Sequence, residues 1–133
     1  PNFIILLTDD QDLELGSPEV MTNLHSKIID KGVTFRNSFI STPICCPSRS
    51  ETMTGRYFHN VGAPNGDCMH VDGLGAVMNQ TMFNTFQQHG YVTGVFGKHV
   101  MNNPDFWCPQ NESQPLNFTG YDRAFLMCGA GNY

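Results

Sequence analysis

Five consecutive residues, Cys45-Cys46-Pro47-Ser48-Arg49, bring two thiols, a residue without an amide hydrogen and a guanidinium into a short stretch of chain. Pro47 fixes its own φ, so the segment reads as a strand or loop that ends where a helix begins. Ser48 to Thr54 is expected to form that helix, with Gly55 as its C-terminal stop. Its first amides would point back towards the cysteines and suit an anion or a polarised oxygen. The plainer use of two neighbouring cysteines is as buried thiols or disulfide partners. Asp9 and Asp10 follow an apolar run and offer hard oxygen ligands, which suit Ca²⁺ or Mg²⁺ better than zinc, although a bare Asp-Asp pair also serves as a cap or solvated turn. Lys98 ends a further strand-like run and carries a compact positive charge.

The elements that must position these groups can be read from periodicity. Phe3 to Leu7 is a continuous apolar run of strand length, the pattern of a strand buried on both faces in a parallel sheet. Ser17-Pro18 looks like a helix cap and first turn, Val20, Leu24 and Ile28 repeat at helical spacing, and Gly32 sits where a stop belongs. Val33 to Ile40 reads as extended, Thr81 to His89 as a short helix with Phe83 and Phe86 inward, and Tyr91 to Phe96 as another strand. The order β, α, β, α, α, β argues for an α/β sandwich, whose ligands gather beyond the carboxyl ends of its parallel strands. Asp9, Asp10 and Lys98 fall just after such runs. Residues 60–79 and 101–133 are rich in Gly, Asn and Pro and read as loops.

The chain has 133 residues, enough for one domain, and a formal charge of −5 from 12 acidic and 7 basic residues. That balance, with no basic run, argues against nucleic acid as a partner, so an anionic ligand would need a local cation or metal. No apolar stretch is long enough to span a bilayer, and Pro1 leads into the first run without signal-peptide flanks. Sequons begin at Asn79, Asn111 and Asn117. With Cys68, Cys108 and Cys128 as disulfide candidates, they favour the secretory route: lysosome, Golgi, cell surface or outside the cell.

The pentapeptide, the opening block Asn2 to Asp10, the stretch Thr54-Gly55-Arg56-Tyr57-Phe58-His59-Asn60 and the block Gly90 to Lys98 together closely resemble the sulfatase family, in the family's order. The resemblance covers nearly all of residues 1–133 and identifies them as the N-terminal part of a sulfatase catalytic domain, incomplete by itself. It implies an alkaline phosphatase-like α/β sandwich with a mainly parallel central sheet. It also implies that Cys45 is converted to Cα-formylglycine, with Pro47 and Arg49 needed for recognition by the formylglycine-generating enzyme. The hydrated aldehyde is a geminal diol. Metal bound to one diol oxygen of residue 45 and to Asp9 and Asp10, usually calcium, makes an alkoxide accessible for attack on the sulfur of a sulfate ester. The second hydroxyl then expels sulfate and restores the aldehyde.

By the same resemblance Arg49 holds the diol and the metal-bound carboxylates, one helical turn beyond residue 45, and Lys98 stabilises charge on a sulfate oxygen. Calcium takes roughly 6–8 oxygen ligands, so ligands beyond the two aspartates are required. Many sulfatases carry a histidine two positions after the lysine, where Val100 stands here, with His99 beside it. Sulfatases acting on glucosamine 6-sulfate often lack that histidine and favour both Cys-Cys and the Thr8-Asp9-Asp10-Gln11-Asp12 sequence. The expected substrate is therefore a sulfated sugar or glycosaminoglycan, resembling that of N-acetylglucosamine-6-sulfatase-type enzymes. His59 matches a recurrent family position and reads as structural, and His25, His70 and His89 read as surface or loop residues. The alternatives are a catalytically inactive sulfatase-like fragment or binding protein, and phosphate-ester hydrolysis, whose related enzymes generally lack the full pentapeptide.

Overall fold

A computed structural model of the chain describes residues 1–61, 80–98 and 120–126. The chain divides into two compact units, Pro1–Phe39 and Ile40–Tyr133.

In the first unit the helix expected from Ser17 to Gly32 is broken into three pieces: a 3₁₀ turn at Ser17–Val20, helix α1 at Thr22–Lys27 and a second 3₁₀ turn at Ile29–Lys31. Pro18 occupies the first turn as expected, whereas the cap is Gly16, with φ 70°, and Ser17, read as the cap, is the first residue of the turn and makes no side-chain cap bond. Continuity fails because a short helix draws its stability from packing an apolar face, and Val20 and Ile28 are exposed while Leu24 is half-buried. Phe3 to Leu7 and Val33 to Ile40 form no strand, and the apolar residues of both runs are exposed, which corrects the expected buried strands. An apolar run becomes a strand only through ladder hydrogen bonds to a neighbouring strand, and the two strands among the described residues, Gly94–Gly97 and Arg123–Leu126, pair with each other.

In the second unit, α2 spans Cys45–Thr54 and begins three residues earlier than the sequence suggested. Pro47 is accommodated because the third residue of a helix has no intrahelical bond to donate. The stop is as expected: Gly55 adopts φ 68° and its amide reaches the Glu51 carbonyl at 2.8 Å. Helix α3 spans Met82–Gln88 and starts in a capping box, with the Asn84 amide donating to Thr81 Oγ1 at 3.4 Å and the Thr81 amide to Asn84 Oδ1 at 3.0 Å. Phe83 packs edge-on against Tyr121 at 4.7 Å and Phe86 against Tyr91 at 5.2 Å, the inward faces anticipated for both. Burial raises the pKa of the Tyr121 hydroxyl, which points at Met53 Sδ of α2.

Strand β1, Gly94–Gly97, pairs in parallel with β2, Arg123–Leu126, in the register Gly94 to Arg123 through Gly97 to Leu126. The parallel sense agrees with the expected sheet; two strands are too few to define a sandwich. Strand β2 lies in a region read as loop, so that reading is corrected for residues 123–126. Its pairing is set from outside the strand. The Thr93 amide donates to the Asp122 carboxylate at 2.7 Å, the amides of Asp122 and Arg123 donate to the Thr93 carbonyl at 2.9 and 3.1 Å, and the buried Thr93 hydroxyl reaches the Gly120 carbonyl at 2.6 Å. Gly120 has φ 105°, and a Cβ there would meet the Asn84 side chain at 2.9 Å, so this clasp also abuts the cap of α3.

The sequons at Asn79, Asn111 and Asn117, most of the residues 60–79 and 101–133 read as loops, and Cys68, His70, His99, Val100, Cys108 and Cys128 lie outside the described residues.

The clasp generates a pH prediction. Hydrogen bonds from the Thr93 backbone and then from Gln87 hold the Asp122 carboxyl below its ordinary pKa. The stability this contributes is fully present above the ordinary carboxyl pKa of about 4 and is lost as the pH falls through the lower folded value. Urea unfolding followed from pH 6 downwards is expected to show a shallower acid-side loss for Asp122→Asn than for the unaltered chain; parallel curves would show that the clasp does not depend on the charge.

Candidate active site

Cys45 is the first residue of α2, and its position follows from the turn before it. Ile44 is extended, with φ −83° and ψ 143°, and its carbonyl accepts the Ser48 amide at 3.0 Å, which closes the first helical turn. Because Pro47 has no amide hydrogen, the first-turn amides directed out of the helix are those of Cys45 and Cys46. Cys45 is free and half-buried, whereas Cys46 is buried and disulfide-bonded. The two neighbours therefore separate into one thiol left for chemistry and one used for structure. Ser50 Oγ lies 3.8 Å from Cys46 Sγ, and with that sulfur in a disulfide the hydroxyl is the donor.

One turn on, Arg49 is 7% exposed, and its Nη1 donates to the Lys98 carbonyl at 2.9 Å. Lys98 follows β1 directly, at the carboxyl end of a parallel strand. Its Nζ lies 3.4 Å from Cys45 Sγ. Three residues singled out in the sequence, Cys45, Arg49 and Lys98, are thus brought together within the second unit from positions 45, 49 and 98. Arg49 has a task the sequence did not suggest: it fixes the main chain of the residue whose side chain reaches Cys45.

Asp9 and Asp10 belong to the first unit, directly after the apolar run, and both are exposed. Asp10 has φ 51°, a left-handed conformation uncommon outside glycine. Strained backbone of this kind collects where a side chain must be aimed. The donors are carboxylate oxygens, which fit a hard divalent cation such as calcium and would be unusual for a soft one.

Glu51 was not singled out from the sequence. Its Oε1 accepts from Thr42 Oγ1 at 3.1 Å and from the Phe58 amide at 2.8 Å, tying the chain before α2 to the chain after it. A helix-interior glutamate ordinarily reads as solvated, and no local pattern marked this one. His59 stacks on Tyr57 with ring centroids 6.0 Å apart, which agrees with a structural reading, and His89 Nδ1 sits 2.8 Å from the Thr85 carbonyl on the exposed end of α3.

Residues 1–125 match the family described as Sulfatase, and the chain belongs to the sulfatase family. Among curated relatives it is 39% identical over 102 residues to an extracellular sulfatase SULF-1 homolog of Drosophila melanogaster, covering 75% of this chain and 9% of that protein. It is 42% identical over 60 residues to human N-acetylglucosamine-6-sulfatase, covering 45% of this chain and 11% of the relative. With human arylsulfatase G it shares 32% identity over 130 residues, 94% of this chain and 23% of the relative. The chain thus spans less than a quarter of the length of each of these relatives. No solved structure matches it.

If Glu51 clamps both flanks of α2, Glu51→Ala leaves the Phe58 amide and the Thr42 hydroxyl without this acceptor. Loss of hydrogen bonds to a charged group is expected to cost about 1.5–3 kcal/mol in urea unfolding. A loss within experimental scatter of zero would show that the flanks hold without it.

Proposed function

We propose that this chain carries the nucleophile and a sulfate-binding cation of a sulfuric ester hydrolase acting on sulfated sugars or glycosaminoglycans. The observation that carries the proposal is the free Cys45 at the start of α2 with the Lys98 ammonium 3.4 Å from its sulfur. Conversion of cysteine to formylglycine replaces Sγ by oxygen on the same Cβ, so the sulfur marks the place of an oxygen of the hydrated aldehyde. A cation beside that place suits two demands: it favours an oxyanion there, and it stabilises negative charge on a sulfate oxygen as the sulfur is attacked. The outward amides of Cys45 and Cys46 add the positive end of the α2 dipole on the same side.

Asp9, Asp10 and the converted residue 45 would hold a divalent cation, taken to be calcium, which when bound supplies Lewis acidity to the nucleophile and the sulfate group. Arg49 holds the Lys98 backbone to α2, so the ammonium is delivered without a search through the chain's own freedom. The half-buried setting of Cys45 limits water around the reacting atoms. Conversion by a formylglycine-generating enzyme and passage through the secretory route, ending in a lysosome, at the cell surface or outside, belong to the same reading. They are supported by the extracellular sulfatase and N-acetylglucosamine-6-sulfatase relatives. Among the described residues no helix is long and apolar enough to cross a membrane.

The test uses the full-length protein from a eukaryotic secretory host, with sulfate and phosphate esters of one phenol and a 6-sulfated glucosamine oligosaccharide. Hydrolysis of the sulfate esters, its loss in Cys45→Ala and its reversible loss on chelation are expected, with kcat lowered roughly 10²–10³-fold in Lys98→Met. Preference for the phosphate ester, or activity indifferent to Cys45, would overturn the proposal. Binding of the sulfated sugar without turnover would instead identify a sulfatase-like binding protein.

A further inference from the structure

We propose that Gly97 is a positioning residue for Lys98: its left-handed backbone turns the chain off β1 so that Lys98 meets two groups of α2 at once, its carbonyl on Arg49 and its ammonium beside Cys45. The inference takes from the proposed function only the use to which Lys98 is put; where Lys98 sits rests on geometry alone.

Gly97 is the last paired residue of β1, opposite Leu126. Its φ of 90° lies where side-chain-bearing L-residues are strained. Among the described residues no atom beyond its chain neighbours lies within 4 Å of the place a Cβ would take, so the need for glycine rests on its conformation. Had the chain continued in the extended form, residue 98 would have carried on along the strand direction with its side chain alternating across the sheet. Instead the Lys98 carbonyl lies 2.9 Å from Arg49 Nη1 and its Nζ 3.4 Å from Cys45 Sγ. The two contacts engage opposite ends of one residue with side chains four positions apart on α2. A change in the dihedral just before Lys98 therefore displaces the carbonyl and the root of the side chain together.

Two further glycines make a matched comparison. Gly55 and Gly90 have φ 68° and 80°, and among the described residues each is also open around the Cβ position. Alanine at any of the three carries a similar backbone penalty, so a general loss of stability is expected to be alike in all, while displacement of Lys98 is expected only at residue 97.

The experiment uses the full-length protein made without conversion, so that Cys45 keeps its thiol, and treats it with succinimidyl iodoacetate, a short reagent joining an amine to a thiol. The Cys45–Lys98 crosslink is quantified by peptide mass spectrometry in the unaltered protein, in Gly97→Ala, in Gly97→Asn and in Gly90→Ala. A fall in crosslink on the order of tenfold in Gly97→Ala, partial recovery in Gly97→Asn because asparagine tolerates positive φ, and little change in Gly90→Ala are expected. In converted protein the same Gly97→Ala change is expected to lower kcat with KM little altered, whereas Gly90→Ala leaves the split unchanged. Equal crosslinking in Gly97→Ala and the unaltered protein, or an equal loss in Gly90→Ala, would overturn the inference. If Gly97→Ala does not fold, Gly97→Ser and Gly97→Asn decide: equal, undiminished crosslinking in both overturns the inference, and a lower crosslink in Gly97→Ser than in Gly97→Asn supports it. A glycine-dependent crosslink in a protein that hydrolyses no sulfate ester supports the positioning role while removing the proposed function.

Discussion

The hydrogen bond from the buried Arg49 guanidinium to the Lys98 carbonyl is the constraint on which the site depends, because it joins the helix that bears Cys45 to the strand end that bears the cation. Neither element could place these groups alone. Helix α2 fixes Cys45 and Arg49 relative to each other through one turn of backbone, and β1 fixes only where the chain emerges. A charged donor held at a main-chain acceptor is stronger than a neutral pair, and it acts on the backbone of Lys98 while the ammonium of the same residue reaches Cys45. The division of labour resembles that between the neighbouring cysteines, where the disulfide of Cys46 anchors the helix start and Cys45 is left free.

Support for this arrangement comes from contacts remote from the chemistry. Thr93 and Asp122 set the register of β1 and β2 one residue before the strands begin, and Gly120 lets the same clasp approach the capped end of α3. Tyr121 carries the packing on to Met53 of α2 and to Phe83 of α3. Position of the strand end is thereby set by polar contacts with defined directions, and the helix carrying the nucleophile is packed against the same group. The outer face of the sheet is different: Phe96 and Phe125 lie opposite each other in register and are 72% and 78% exposed. Parallel sheets are ordinarily covered on both faces, so this pair, like the exposed run from Phe3 to Leu7, has the character of core surface.

Local signals in the sequence were legible where a local cause suffices. The stop at Gly55 needs only a left-handed residue, the start of α3 only Thr81 with Asn84, and the Cys45-Arg49 relation only helical spacing. Strands proved harder, for a physical reason: an apolar run becomes a strand only within a ladder, so Phe3 to Leu7 carries the pattern without forming a strand, while Arg123 to Leu126 has the pairing with little pattern. At the site, residue types announced Cys45 and Lys98. The link through the Lys98 carbonyl could not be read, since backbone acceptors are the same at every position and only the fold selects one. Gly97 was visible as a letter beside the lysine, yet its φ emerges only from the path of the chain.

The central claim is that Cys45 is the precursor of a formylglycine nucleophile, and mass spectrometry of the Cys45 peptide from the protein made in a eukaryotic secretory host tests it most directly. The account predicts a residue lighter than cysteine by about 18 Da, the difference between CH₂SH and CHO, that reacts with a hydrazine reagent as an aldehyde must. An unmodified thiol or a disulfide at Cys45 in protein from that host would contradict it.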